Sequence, residues 1–147
     1  MSLHYKKIEF EDNRIDFSQY SALKGSLPAP YLPVFEFNGV TLQGNRAILR
    51  LIGRDVGLYP SDTMEAAKVD AAMDMIDDWM GAVNSAGQGM EKEAKEAARV
   101  DMVTNSSSKA CRLFSCIENE IKGPFLLGDT MSIGDFMITR YVYTVVL

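Results

Sequence analysis

The stretch Leu27–Gly53, LPAPYLPVFEFNGVTLQGNRAILRLIG, decides the fold of this chain. Two short apolar runs, 34–37 and 40–42, flank the dipeptide Asn38-Gly39. Asn-Gly between such runs is the strongest short-range signal for a β-hairpin, because both residues tolerate positive φ. Apolar residues then recur with helical spacing up to Gly53, a typical helix stop. The stretch therefore predicts a ββα unit.

Upstream of the hairpin, residues 8–17 alternate loosely between apolar and acidic side chains. This pattern is typical of an edge strand with charge on its outer face. Residues 19–27 show no periodic pattern, and we interpret them as an irregular connector. Pro33 stands at the mouth of the first hairpin strand, a position that a proline may occupy without breaking a ladder.

Downstream, residues 54–61 are interpreted as a linker, and from Met64 onward the pattern is helical. A first long helix carries a broad apolar stripe of Ala72, Met75, Ile76, Trp79, Met80 and Val83. A second long helix is expected to follow the break at 86–89 and to run to Gly123-Pro124. A last helix is predicted from Ser132, whose spacing to Asp135 is that of a capping box. The predicted domains are 1–53 and 62–147.

Bulk properties exclude several classes of protein. The formal net charge of −5 and the absence of a Lys/Arg cluster argue against nucleic-acid binding. No apolar run approaches the roughly 20 residues that span a bilayer, and residues 2–10 are too polar for a signal peptide. Two cysteines without a CxxC motif and a single histidine make a metal site or a disulfide framework unexpected. We therefore expect a cytoplasmic protein with no metal, no nucleic-acid partner and no membrane partner.

Three segments taken together carry a family resemblance: ALKGSLP at 22–28, LPVFEFNGVTLQGNRAIL at 32–49 and FLLGDTMSIGDF at 125–136. They resemble the cytosolic glutathione transferase superfamily, and within it the sigma-like group, over about Ile8 to Met137. The resemblance implies an α+β fold, with an incomplete thioredoxin-like ββα portion followed by an all-α helical portion. It makes 1–53 a partial glutathione-binding domain and 62–147 a partial C-terminal domain.

The resemblance also implies that the chain is truncated at both ends. In the family a βαβ unit precedes the ββα unit, and its first strand carries the catalytic Tyr, Ser or Cys. Residues 8–17 resemble the second strand of that unit, and the last helices of the family have no counterpart. The catalytic residue is therefore unknown. Tyr5 is a poor substitute, because it lies beside the second strand and not at the tip of the first.

The same resemblance implies a glutathione site beside Leu32 and Pro33. A cis bond between these residues would turn the Leu32 N–H and C=O toward the tripeptide, which would pair with them like an added strand. From the residues alone, a trans proline at a strand start is the alternative. Tyr20 and Lys24 match positions that hold the glycine carboxylate, although a packing tyrosine and a solvated lysine would fit the same residues.

Gln43 and Gly44 stand at the start of the predicted helix, where N–H groups and the helix dipole suit a carboxylate. The family has a Gln-Ser pair here, so Gln43 keeps an amide donor while Gly44 lacks the hydroxyl. We expect binding to be roughly ten- to hundredfold weaker for that loss. Gly44 is also an acceptable N-cap in its own right.

Asp70, Asp74 and Asp78 are spaced i, i+4 and i+8, and a solvated acidic face is the simplest interpretation. The resemblance matches Asp74 with a residue that reaches across a dimer to the glutathione ammonium, and so implies a homodimer.

The predicted function is that of a glutathione transferase-like protein with glutathione as co-substrate. In its intact form it would conjugate or isomerise small hydrophobic electrophiles through the glutathione thiolate, a detoxification chemistry. Two alternatives stay open. One is a non-catalytic relative that keeps the dimer and the ligand groove; the other is a truncated isoform or structural by-product with little independent stability.

Overall fold

The computed structural model describes residues 2–146, with side chains as far as Tyr143. The elements in this range are α1 Ser2–Tyr5, α2 Phe17–Leu23, β1 Val34–Phe37, β2 Val40–Gln43, α3 Asn45–Asp55, α4 Thr63–Ser85, α5 Lys92–Thr104, α6 Lys109–Glu120 and α7 Ile133–Val146. The order confirms the predicted α+β class, a ββα portion followed by helices. The chain divides into two compact units, the first up to Tyr59 and the second from Pro60, and this boundary lies within the predicted linker.

The predicted hairpin is confirmed. β1 pairs with β2 in antiparallel register, from Val34 opposite Gln43 to Phe37 opposite Val40. Asn38 and Gly39 both have positive φ, 49° and 76°, which is the type I′ turn that matches the twist of the strands. The helix predicted after the hairpin is α3, and it buries Ile48 and Ile52.

The edge strand predicted over 8–17 is wrong, and so is the irregular connector over 19–27. Residues 8–16 have no regular secondary structure, and Phe17 opens α2. The Asp16 carboxylate accepts the Gln19 N–H at 2.8 Å, and the Gln19 side chain accepts the Asp16 N–H at 2.8 Å. This reciprocal capping box starts a helix at the end of the predicted strand, and the helix runs through most of the first half of the predicted connector.

The cap of α2 has a testable pH dependence. Hydrogen bonds from the Gln19 N–H and from the Ser18 side chain lower the pKa of Asp16 below its usual range. Because the folded-state pKa is the lower one, the stabilisation is fully present above the unfolded pKa of about 4 and is lost as the pH falls through the folded value. We expect the NMR amide shift of Gln19 to titrate below pH ~4 in the wild type. If the Gln19 amide shift titrates in the same way in Asp16→Asn, the attribution of this titration to Asp16 is wrong.

The second unit is built around α4. The Asp62 carboxylate caps this helix by accepting the N–H groups of Met64 and Glu65. The buried face of α4 consists of Val69, Ala72, Met73, Ile76, Trp79, Ala82 and Val83. α6 and α7 pack against α4, with Ile117 and Ile133 fully buried. Two members of the predicted stripe, Met75 and Met80, are half-buried at its margin.

The single long helix predicted after residue 89 is wrong, because the chain forms α5 and α6 with a turn between them. The Asn105 side chain accepts the Ser107 N–H at 3.0 Å, and the Ser108 hydroxyl accepts the Cys111 N–H at 3.0 Å. Ser108 also donates to the Met102 carbonyl at 2.6 Å. These side chains satisfy the helix ends locally, which is the usual reason that Asn and Ser interrupt a helix.

The predicted contact between Ser132 and Asp135 is present at the start of α7. The Asp135 carboxylate accepts both the N–H and the hydroxyl of Ser132, at 2.8 and 2.9 Å. Its other oxygen accepts the Leu126 N–H at 2.8 Å, which ties the preceding loop to the helix. No helix in the described range combines the length and apolar character needed to cross a bilayer.

Candidate functional site

Residues 29–31, which lead into Leu32 and Pro33, are held by the side chain of Gln43. Its carbonyl oxygen accepts the Ala29 N–H at 2.7 Å. Its amide group donates to the carbonyls of Ala29 at 2.9 Å and Tyr31 at 2.8 Å. Both amide hydrogens are therefore committed inside the protein. The interpretation of Gln43 as a donor to a ligand carboxylate finds no support in this geometry, because Gln43 positions the loop instead.

Tyr20 holds the same loop from α2. Its hydroxyl donates to the Pro30 carbonyl at 2.5 Å, so the hydroxyl proton is not available to a second acceptor. Tyr20 and Gln43 thus fasten three consecutive residues, 29–31, to two different elements. Sequence reasoning placed both residues at a ligand and missed this role. The signal available was the run Pro28-Ala29-Pro30, because its prolines lack N–H donors and prevent a regular backbone ladder, which leaves the carbonyls of this stretch for side-chain partners.

Leu32 follows the fastened loop, and its main-chain groups lack an intramolecular partner in the described part of the chain. The residue is 46% exposed, and its N–H and C=O make no intramolecular hydrogen bond in the part of the chain that the structure describes. The Leu32–Pro33 bond is cis, which confirms the prediction, and β1 begins at Val34. A main-chain donor and acceptor without intramolecular partners, on one residue that is partly exposed, can pair with an extended peptide.

Lys24 supplies a positive charge near this loop. It is the C-cap residue of α2, one helical turn beyond Tyr20, and so lies on the same side of the helix. Its side chain is exposed and has no ion pair within the described range. An exposed ammonium group of this kind attracts a carboxylate without first having to break an internal bond.

Gly44 is the N-cap of α3, as one interpretation of the sequence predicted. It has φ of +92°, and no side chain caps the helix at this position. The Asn45 side-chain oxygen accepts the Arg46 N–H at 2.8 Å within the first turn. The N-terminal end of a helix carries partial positive charge, so α3 starts with an electrostatic preference for anions.

The remaining predicted residues lie elsewhere. Asp74 belongs to α4 in the second unit and is exposed, as is Asp78, whereas Asp70 is half-buried. Tyr5 lies in the short helix α1 and is 54% exposed. No cluster of three or more potential metal ligands occurs among the described residues.

No protein-family model matches the chain. Glutathione S-transferase 1 of Ascaris suum is 29% identical over 139 residues, covering 92% of this chain and 68% of the relative. Human hematopoietic prostaglandin D synthase is 29% identical over 133 residues, covering 90% of this chain and 64% of the relative. The chain therefore spans about two thirds of the length of these curated relatives.

The solved structures that the chain resembles are of the same kinds of protein as these relatives. The glutathione S-transferase from Ascaris lumbricoides superposes with a TM-score of 0.80 at 27% identity, covering 97% of this chain and 71% of that one. Rat hPGDS complexed with a quinoline gives a TM-score of 0.83 at 25% identity, covering 99% of this chain and 71% of that one. Since sequence relatives and structural neighbours are of the same kind, the chain is similar in sequence and in fold to cytosolic glutathione transferases.

Proposed function

We propose that the protein binds glutathione through its first unit, at the main chain of Leu32. The observation that carries the proposal is the N–H and C=O of Leu32, which have no intramolecular partner in the described range and follow a loop that Tyr20 and Gln43 fasten. A tripeptide has the complementary main-chain groups and can pair there in an extended conformation. In this arrangement Pro33 orients Leu32, Tyr20 and Gln43 hold the loop, and Lys24 and the Gly44 end of α3 attract the ligand's carboxylates.

The reaction follows from the family. A glutathione thiolate would attack a small hydrophobic electrophile, or isomerise it, in a cytoplasmic detoxification role. Asp74 would contribute to the glutathione site of a neighbouring subunit, so function would require a homodimer. Thiolate attack depends on a lowered thiol pKa, which a hydroxyl donor in the family supplies.

The Lys24 charge provides the first test of binding. In Lys24→Met we expect the Kd for glutathione, measured by isothermal titration calorimetry, to rise about tenfold, because a hydrogen bond to a charged group contributes roughly 1.5 kcal/mol. Lys68→Met is the matched control, since Lys68 is an exposed lysine of the second unit. Equal affinities in the two variants would contradict the role of Lys24, and the lack of any glutathione-dependent shift at the Leu32 amide would contradict the site.

A non-catalytic glutathione-binding relative is the second candidate. Two observations favour it: the Tyr20 hydroxyl donates to the Pro30 carbonyl, and Gly44 has no hydroxyl. Neither position therefore offers a hydroxyl that could lower the pKa of the glutathione thiol. Glutathione binding without turnover of an electrophilic aromatic substrate would support this candidate. Turnover that depends on glutathione, with a higher KM for glutathione in Lys24→Met, would support the enzyme instead.

A further inference from the structure

The tip of the β-hairpin holds the only Asn-Gly pair of the sequence, Asn38-Gly39. Both residues are exposed, and they form the two-residue turn between β1 and β2. A Cβ atom built at Gly39 would meet no atom within 4 Å, so the space around its main chain is open. Water therefore reaches the main chain and the side chain of this turn.

Two groups of the turn that can react with each other are not engaged elsewhere. In the described part of the chain, the Asn38 side chain makes no hydrogen bond and the Gly39 N–H has no acceptor. Asparagine is a thermolabile residue, because the main-chain nitrogen of the next residue can attack its side-chain carbonyl carbon. Glycine permits this attack best, since it has no Cβ to hinder the approach and its main chain rotates freely.

The other five asparagines lack this combination. The side chains of Asn45 and Asn105 each accept a nearby main-chain N–H, at 2.8 and 3.0 Å. Asn84 and Asn119 lie inside α4 and α6, where helical hydrogen bonding holds the N–H of the following residue. Asn13 lies outside any helix or strand, but the residue that follows it is an arginine, whose side chain hinders the approach.

We propose that Asn38 is the site at which this chain undergoes spontaneous deamidation. The Gly39 nitrogen attacks the Asn38 Cγ atom, the bond from Cγ to the side-chain nitrogen breaks, and ammonia leaves with the proton of the Gly39 N–H. Water then opens the succinimide ring at one of its two carbonyls. Opening at the side-chain carbonyl gives aspartate. Opening at the main-chain carbonyl gives isoaspartate, in which the chain continues through the former side chain. The reaction needs only water, so it is independent of glutathione binding.

The ring forms when the turn opens briefly, because the Asn38 main chain must rotate out of its turn conformation. Little packing opposes this rotation, since Val40, the next residue after the turn, is 56% exposed. The two products then differ in their effect. Aspartate fits the turn, because Asp-Gly suits a type I′ turn as Asn-Gly does. Isoaspartate adds a methylene carbon to the main chain, so the turn no longer matches the pair Phe37 and Val40 that closes it.

The first test follows deamidation of the full chain at mildly alkaline pH by peptide mapping and mass spectrometry. Asn105 is the comparison within the chain, because it is exposed and precedes a small residue, serine. We expect Asn38 to convert at least about fivefold faster than Asn105, whose side chain is held by a hydrogen bond. Both aspartate and isoaspartate should form. If Asn38 stays intact, or if Asn105 reacts as fast, the proposal is wrong.

A variant and hydrogen exchange test the remaining steps. Asn38→Gly keeps a suitable Gly-Gly turn but has no side-chain amide, so the more acidic form that accumulates in the wild type should be missing. In the purified isoaspartate form, exchange at the Phe37 amide should be at least about tenfold faster than in Asn38→Asp, while the Ala72 amide of α4 is unchanged. Equal exchange at Phe37 in the two forms would show that isoaspartate does not open the turn.

Discussion

Asp135→Ala is expected to destabilise the helical unit by about 3 kcal/mol, because three buried or half-buried donors then lose their acceptor at once. The carboxylate accepts the N–H groups of Leu126 and Ser132 and the Ser132 hydroxyl. Ser132 is 0% exposed and Leu126 is 5% exposed, so water cannot replace the lost acceptor without opening the structure. Each unsatisfied buried donor costs roughly 1–3 kcal/mol.

Trp79 makes the measurement specific to this unit. It is the only tryptophan of the chain, and it is buried in α4 against Phe114, with ring centroids 5.9 Å apart. Urea unfolding followed by Trp79 fluorescence therefore reports the second unit. Asp129→Ala is the matched control, because Asp129 is an exposed acid of the same loop. A loss below about 0.5 kcal/mol in Asp135→Ala, the range of ordinary surface substitutions, would contradict the role of Asp135.

Gln43→Met is expected to loosen the loop at 29–31 and to weaken glutathione binding by ten- to about a hundredfold. Methionine has nearly the same length but cannot replace the three hydrogen bonds to Ala29 and Tyr31. At about 1 kcal/mol net for each hydrogen bond, the substitution destabilises the ordered conformation of the loop by up to about 3 kcal/mol. Glutathione would then have to order the Leu32 main chain as it binds, and this ordering would reduce the net free energy of binding.

Two measurements distinguish the effect of Gln43→Met on the loop from its effect on glutathione binding. Hydrogen exchange at the Ala29 amide should accelerate at least about tenfold in Gln43→Met, because its acceptor is gone, and calorimetry should show the higher Kd for glutathione. Thr41→Met is the control on the same strand, since Thr41 is exposed. Faster exchange at Ala29 with an unchanged glutathione affinity would show that this loop does not belong to the binding site.

Elements with a strong local signal were predictable from the sequence. The hairpin follows from Asn38-Gly39, α3 from the apolar spacing that ends near Gly53, and the start of α7 from the pair Ser132 and Asp135. In each case the residues that decide the conformation lie within a few positions of one another. Local propensity and hydrogen bonding therefore agree with the final fold at these places.

Residues 8–17 show where this local reasoning fails. Alternating apolar and acidic side chains predict a strand only if a neighbouring strand completes the ladder, and β1 pairs with β2 alone in the described range. The nearer signal, the capping box of Asp16 and Gln19, therefore decided the conformation from residue 17 onward. The turn between α5 and α6 is a similar case. The apolar periodicity predicted one continuous helix, but hydrogen bonds from the Asn105 and Ser108 side chains to backbone N–H groups allow the chain to turn there.

The sequence by itself determined the α+β class, the hairpin, the long helix α4 and the family resemblance. Each of these depends on short-range patterns or on motifs of consecutive residues. Only the tertiary structure decided that Gln43 and Tyr20 form hydrogen bonds to the loop at 29–31. Their acceptors lie 10 to 14 residues away along the chain, and which carbonyl a side chain reaches is settled by the packing of separate elements.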